Sequence, residues 1–389
     1  MITRPGLEER VSARLETLAD LCGPVFLVGL SGGGDSSSLM EIASLWAARK
    51  GAGSGVRVSA CIVDHGLRAG SAGTAQAVAR YWLARGAVVQ VRRWEQGAAS
   101  GAPTSQAAAR AARHALLADA ARTCGAGSIL LAHTADDQAE TLAMRLVRAT
   151  GPDGLAGMSQ LSPSPADALP GAALVARPLL DARRLELRDW LVAKGLDWIE
   201  DPANREHRFT RVAVRSRLAA LARAEPDPAP RLLGISALAT QLRQLVDADA
   251  LTLAAAAGIS DSQLVFPDAG RFPVGPALVR AIGWAVAAAG RAPTQAAARP
   301  VDPRRIAQAL GRTDSGRATN LGGALIRHQR GNVTVSPEPP RRGSPQSQDD
   351  TSGLVGDRWR ARLDAVRRAL AMDAAHPPGP SAGRQLLTT

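Results

Sequence analysis

VFLVGLSGGGDSSSLMEIASLW, residues 25–46, decides the fold. Residues 25–30 form an apolar run of strand length. Three glycines at 32–34 then turn the chain sharply, and apolar residues at helical spacing resume from about Ser36. Glycines let backbone N–H groups approach a ligand closely. The helix start adds partial positive charge, worth roughly 0.3–1 kcal/mol per anion contact. The loop therefore has the form of an anion cradle. It is not the G-x-x-x-x-G-K-[ST] loop, because no lysine follows the glycines and an acid, Asp35, stands inside it. Phosphate charge must then be met by backbone N–H groups, arginines or a magnesium ion. Asp35 is repulsive there unless a metal bridges it to phosphate or its side chain caps the helix.

Outward from this stretch, strand and helix signals alternate. Further strands are expected at 56–64 (VRVSACIVD), 87–93 (AVVQVRR) and 128–133 (SILLAH), with helices at about 36–49, 72–85, 104–123 and 135–149. Continuous apolar strands alternating with helices predict an α/β fold built on a doubly wound parallel sheet. Ligands collect at the carboxyl ends of such strands, so the chemistry belongs just after residues 30, 63 and 132. Residues 159–172 read as a loop. Helices are expected at 182–194, 208–223 and 231–257, and helical pieces continue to about 311. LGGALIRHQRGNVTVS (321–336) is β-like. From Pro337 onward Pro, Ser, Gly and Asp dominate, as in a disordered tail. Within it, Trp359, Leu363, Val366 and Leu370 share one face of a helix at 357–372.

Formal charge is +12 over 389 residues, and Lys50 and Lys194 are the only lysines among the cations. A polyanionic partner such as nucleic acid fits that balance. Cys22, Cys61 and Cys124 are widely spaced with no C-x-x-C, which argues against a disulfide framework, a zinc knuckle or a cysteine-held cluster. The amino-terminal segment is charged and helix-like, and no run approaches 18 apolar residues, so a soluble cytoplasmic protein with no membrane partner is expected.

The second strand ends in VDHGLR (63–68), which puts His65 and Arg68 beside the glycine loop. After the fourth comes LLAHTADDQAETLAMRLVR (130–148). There Asp136 and Glu140 share a helix face and Asp137 lies beside Glu140. Three acids with His133 exceed what a helix cap needs, and they suit magnesium or an amino-group substrate. Arg110 and Arg113, at i and i+3, share a face that can reach phosphate.

S-G-G-G-D-S after a strand resembles the pyrophosphate-binding (PP) loop of the N-type ATP pyrophosphatases, which have an adenine nucleotide alpha hydrolase-like fold. With DHGLR, RAARHALL, AHTADDQAET, RLVRATGPDGLAGM (145–158), RPLL (177–180) and WIEDPANREHRFTRVAVR (198–215), the chain is similar to the tRNA(Ile)-lysidine synthetase family over roughly residues 24–221. It departs from the family pattern at Thr134, where a second histidine is usual, at RATG, where a serine-glycine pair is usual, and at Val212, where asparagine is usual. The resemblance implies a ligase that joins lysine to the wobble cytidine of an isoleucine tRNA with a CAU anticodon. ATP is attacked at its α-phosphate by the cytidine C2 oxygen, pyrophosphate leaves, and lysine's side-chain amine then displaces AMP.

The roles implied are ATP binding by Ser31, Gly32, Gly33, Gly34, Asp35, Ser36 and His65, and lysine binding by Asp137 and Glu140. Catalysis falls to Asp35, His133, Asp137 and Arg113, and magnesium to Asp35 and Asp136. Arg205, Arg208, Arg211 and Arg215 would meet tRNA; the last three lie at i, i+3 and i+7. Residues 1–224 are expected to form the PP-loop domain and 231–299 a helical tRNA-binding domain. Residues 300–337 would be a small β region and 338–389 a tail; a homodimer is a further expectation. Competing readings are a PP-loop tRNA sulfur transferase, which would need suitably placed cysteines, and a non-catalytic RNA-binding protein, which would not need Asp35, Asp136, Asp137 and Glu140 together.

Overall fold

A computed structural model describes residues 5–66, 70–95, 105–147, 151–165, 171–199, 210–224, 227–260, 262–269, 274–290, 301–311, 318–329, 331–338 and 351–377. The chain divides into two compact units. The first comprises Met1–Asp167, Ala172–Arg243 and Ala371–Thr389; the second comprises Ala168–Gly171 and Gln244–Leu370.

The first unit opens with α1 (Leu7–Cys22), β1 (Val25–Gly29) and α2 (Gly34–Lys50). There follow β2 (Arg57–Asp64), α3 (Ser71–Ala84), β3 (Val88–Arg93), α4 (Gln106–Cys124), β4 (Ser128–Leu130) and α5 (Ala135–Leu146). Its sheet has the order β3-β2-β1-β4-β6-β5. Adjacent strands run parallel except β5 (Leu161–Ser162), which is antiparallel to β6 (Leu174–Ala176). The doubly wound sheet and the first four strands are as the alternation predicts. β5 corrects the reading of 159–172 as plain loop, and β6 is a strand the sequence reading does not include: they are two and three residues long, too short for a period to register.

The apolar strands are continuous because helices cover both faces. Phe26, Leu27 and Val28 of β1 are fully buried. Phe26 meets Trp46 of α2 edge-on, with centroids 5.6 Å apart. On the other face Leu27 packs with Leu117, Ala120 and Ala121 of α4 and with Ile129 of β4. Each large aliphatic side chain so buried contributes roughly 1.5–3 kcal/mol. From β1 the chain winds outward to β2 and β3, then returns to place β4 on β1's other side. The winding direction therefore reverses between β1 and β4, and the loops leaving these two strands open side by side.

α6 (Pro152–Leu155) precedes the β5–β6 pair, and α7 (Arg184–Ala193), α8 (Thr210–Ala224) and α9 (Ala229–Ala255) follow it. The second unit holds a five-stranded antiparallel sheet, β7-β8-β11-β10-β9. Its strands are β7 (Gly258–Ser260), β8 (Gln263–Phe266), β9 (Thr319–Leu321), β10 (Ala324–Gln329) and β11 (Asn332–Pro337). α10 (Pro276–Ala289), α11 (Pro303–Gly311) and α12 (Thr351–Ala375) are the remaining described helices. β7 and β8 interrupt what the Ala/Leu-rich composition presents as wholly helical. The structure also corrects the tail. α12 is longer than residues 357–372, and its Trp359 and Leu363 are buried in the second unit's core. Trp359 meets Phe266 edge-on at 5.9 Å.

Candidate active site

Gly32 has φ +83, and a Cβ there would sit 2.5 Å from Val78 Cγ2, so both conformation and space demand glycine. The Gly32 carbonyl accepts from the Ile199 N–H at 2.9 Å. Ser36 Oγ donates to the Gly33 carbonyl at 3.0 Å, and the Ser31 N–H donates to that hydroxyl at 3.2 Å. α2 starts at Gly34, two residues before the expected Ser36, and Gly33 at its N-cap offers no side-chain hydrogen bond. The first-turn N–H groups of a helix have no intrahelical acceptors. Here neither Ser36 nor Asp35 caps them, so the turn keeps the donors an anion needs.

β4 ends differently. Thr134 is fully buried and caps α5. Its Oγ1 accepts from the Asp137 N–H at 3.3 Å, while its own N–H and hydroxyl donate to Asp137 Oδ2, each at 2.9 Å. The threonine in place of a histidine is therefore a working half of a capping box. Burial pushes the Asp137 carboxyl up, but the Arg184 guanidinium and the Thr134 N–H outweigh it, and the group ends below its ordinary value.

Arg184, in the first turn of α7, gathers the acids. Its Nη2 lies 2.5 Å from Asp137 Oδ1, its Nη1 2.8 Å from Glu140 Oε1, and its Nε 3.3 Å from Asp35 Oδ2. Its backbone N–H donates to Asp136 Oδ2 at 2.7 Å, and Arg183 Nε donates to Asp136 Oδ1 at 3.0 Å. The Glu140 side chain, 2 % exposed, also accepts from Arg215 Nε at 2.7 Å. Buried carboxylates persist as anions only when paired in this way. Burial pulls the Arg184 guanidinium down, yet Asp137, Glu140 and Asp35 hold it above its ordinary range. Burial raises the Asp35 carboxyl, Arg184 opposes that, and the net shift is upward.

His65 follows β2 and His133 follows β4, one on each side of β1 in the sheet order. Among the described residues, neither His65 nor His133 has a hydrogen-bond partner for its buried Nδ1. Burial lowers both. Neighbouring arginines, Arg113 for His65 and Arg177 then Arg113 for His133, add to the effect, so both rings are neutral at pH 7. His114, which follows Arg113 on α4, is likewise lowered, to about 4. The GLAGM segment is tied to α5 through Gln138, which accepts from the Met158 N–H at 2.7 Å and donates to its carbonyl at 2.9 Å. Buried Arg177 of the RPLL segment donates to the Ser159 carbonyl at 2.8 Å.

The structure thus brings Ser31–Ser36 together with Asp136, Asp137 and Glu140, through Arg184. Arg183 and Arg184 were missed in the sequence, where they look like an ordinary solvated pair. Their only signal is the two unexplained cations just after RPLL, facing three acids in want of partners. Arg215 faces Glu140, not outward as its i, i+3, i+7 spacing with Arg208 and Arg211 implies. Arg68, Arg205 and Arg208 lie outside the described residues, as does the side chain of Arg211. Among the described residues no group of three or more His, Cys, Asp and Glu side chains is disposed to hold a metal ion. Magnesium at a nucleotide, however, takes one or two carboxylates plus phosphate oxygens. Asp35, 30 % exposed at the loop, fits that role; Asp136 has both oxygens engaged.

Comparison with known proteins decides the lineage. A family model described as the PP-loop domain matches residues 7–222. The tRNA(Ile)-lysidine synthase of Methylobacterium nodulans is 37% identical over 331 residues, covering 81% of this chain and 91% of that protein. The chain belongs to the tRNA(Ile)-lysidine synthase family. A second family member, from Ruegeria pomeroyi, is 36% identical over 307 residues, covering 77% of this chain and 68% of its own length. A third, from Bradyrhizobium diazoefficiens, is 41% identical over 201 residues. There the match covers 51% of this chain and about half of the relative, 52%. Family membership implies use of ATP, and no helix among the described residues is long and apolar enough to cross a membrane.

Proposed function

We propose that the protein ligates L-lysine to C2 of the wobble cytidine in a CAU-anticodon isoleucine tRNA, through an adenylated base, with release of AMP and pyrophosphate. One observation carries this reading: an uncapped glycine loop and a carboxylate set on α5 open side by side where the sheet reverses, close enough for one guanidinium to touch Asp35, Asp137 and Glu140. Such a site can hold a triphosphate and an ammonium at once.

The chemistry follows from these parts. A carbonyl oxygen on a base is a poor leaving group, and transfer of AMP onto it makes a good one. The N–H groups at the start of α2 hold the departing pyrophosphate, and Arg113 offsets charge that grows on the phosphates. Asp35 would hold a magnesium ion at the phosphates, and the ion would supply further charge neutralisation there. Asp137 and Glu140 hold the lysine side chain as a cation. The amine attacks only when neutral, and His133 is the residue assigned to take its proton. Burial and Arg177 hold its ring down at about 3, so bound phosphates must offset that arginine before it can act as a base. Arg205, Arg208 and Arg211 are the cations assigned to tRNA backbone contact, which should weaken with salt.

The sulfur-transfer alternative finds no support in the thiols. Cys61 lies inside β2, where burial pushes its thiol up to about 12, and Cys124 ends α4 and donates to the Ala121 carbonyl. Nucleophilic cysteines need the opposite environment. The test is incubation with radiolabelled lysine, ATP and an isoleucine tRNA transcript bearing CAU, with Asp35→Ala as control. Label is expected in the nucleoside with wild type only. ATP turnover without label in the RNA refutes lysine as the nucleophile.

A further inference from the structure

The carboxylates assigned to lysine already hold a cation. Arg184 makes bonds of 2.5 Å to Asp137 and 2.8 Å to Glu140, and its side chain is 19 % exposed. A second ammonium cannot enter that set at full strength while the guanidinium stays, because the acids' charge and lone pairs are committed to it. The third bond of the same guanidinium, to Asp35, is the longest at 3.3 Å and points to the glycine loop. A triphosphate bound on that loop places strong negative charge beside Asp35 and offers the planar fork of arginine a bidentate partner.

The backbone of Arg184 is held apart from this exchange. Its N–H is bonded to Asp136, which Arg183 steadies, so the side chain can change partners while α7 stays anchored. Asp137 also keeps its two donors from Thr134 when Arg184 leaves. Glu140 keeps Arg215, so neither carboxylate is stranded in the interval before lysine arrives.

We infer that Arg184 is the internal counter-ion of the amine pocket and moves onto the bound nucleotide's phosphates, so that lysine binds well only after ATP. The inference rests on the proposed function, which assigns lysine to Asp137 and Glu140. It makes Arg184 a residue that contacts the nucleotide and so sets the order of substrate binding. Coupling between two ligands through one such exchange is typically 5- to 150-fold, so about tenfold or more is expected here.

The experiment is calorimetric titration of L-lysine into the full chain, alone and saturated with magnesium and an ATP analogue bearing a methylene between the α- and β-phosphorus. Wild type should bind lysine at least about tenfold more tightly with the analogue. In Arg184→Ala the nucleotide-free protein should bind lysine more tightly than wild type does, and the ratio should fall to within about twofold. Arg184→Lys, which keeps the charge without the fork, should give an intermediate ratio. A merely structural role would weaken both affinities together and leave the ratio intact, and that outcome overturns the inference. A wild-type ratio near one overturns it as well, whether or not Arg184→Ala folds. Labelled-lysine transfer by wild type is run in parallel. Transfer without coupling sinks the Arg184 inference alone, and absence of transfer sinks the function beneath it too.

Discussion

Replacing Gly32 with alanine tests the loop at its most constrained point. Two costs are separable. At φ +83 a β-carbon clashes with the adjacent carbonyl, which costs about 1–2 kcal/mol. The same carbon would lie 2.5 Å from Val78 Cγ2, and overpacking of that kind costs roughly 1–3 kcal/mol. Together they predict a loss of roughly 2–5 kcal/mol, or a fall in Tm of roughly 4–20 °C for a unit of this size. Val78→Ala removes the clashing methyl groups at a cost of about 2 kcal/mol and leaves the nearest remaining carbon, Val78 Cβ, 3.6 Å away. Gly32→Ala made in that background should cost only about 1–2 kcal/mol, the conformational part. Chemical denaturation of the four proteins gives the coupling directly. An equal cost of Gly32→Ala in both backgrounds refutes the packing argument, and no cost in either refutes the loop conformation itself.

Three other outcomes are expected. Thr134→Val, which removes the hydroxyl of the capping box, should destabilise by about 1–2 kcal/mol in urea titration and raise the Asp137 pKa followed by NMR. His114 is depressed to about 4 by burial and by Arg110 and Arg113. Below about 6.5 the unfolded chain takes up a proton that the folded one refuses, so stability present above pH 6.5 is lost as pH falls toward 4. At roughly 1.4 kcal/mol per pH unit this reaches about 3 kcal/mol, and denaturation midpoints of His114→Asn should show a shallower pH slope over that window. Trp359→Ala should cost about 3–5 kcal/mol through the cavity left against Phe266, read as a lower melting transition for the second unit.

The glycine loop, the four parallel strands and the meeting of their carboxyl ends were legible because each rests on a local pattern. Apolar runs, glycines at 32–34 and acids at 136, 137 and 140 carry their meaning within a few residues. What escaped was relational. Arg184 lies 44 residues from Glu140 and 149 from Asp35 in sequence, and nothing near it says that its charge is spoken for. Arg215 shows the same limit in reverse: helical spacing groups it with Arg208 and Arg211, yet a buried glutamate on α5 competes for it. β7 and β8 are short and sit in alanine-rich surroundings, so composition outvoted them. The Trp359 face of α12 was visible as a stripe, but only the second unit's core shows what covers it.

The first unit takes its last pieces from far along the chain. Met372 is buried, His376 Nε2 lies 2.9 Å from Thr17 Oγ1 on α1, and the His376 carbonyl accepts from Gln160. During synthesis, α1 and the glycine loop emerge more than three hundred residues before the segment that ties them down. A ribosome that stops anywhere ahead of residue 371 releases a nucleotide-binding sheet with its seam unclosed. α1 is therefore left without its contact to His376 until the end of α12 has been made.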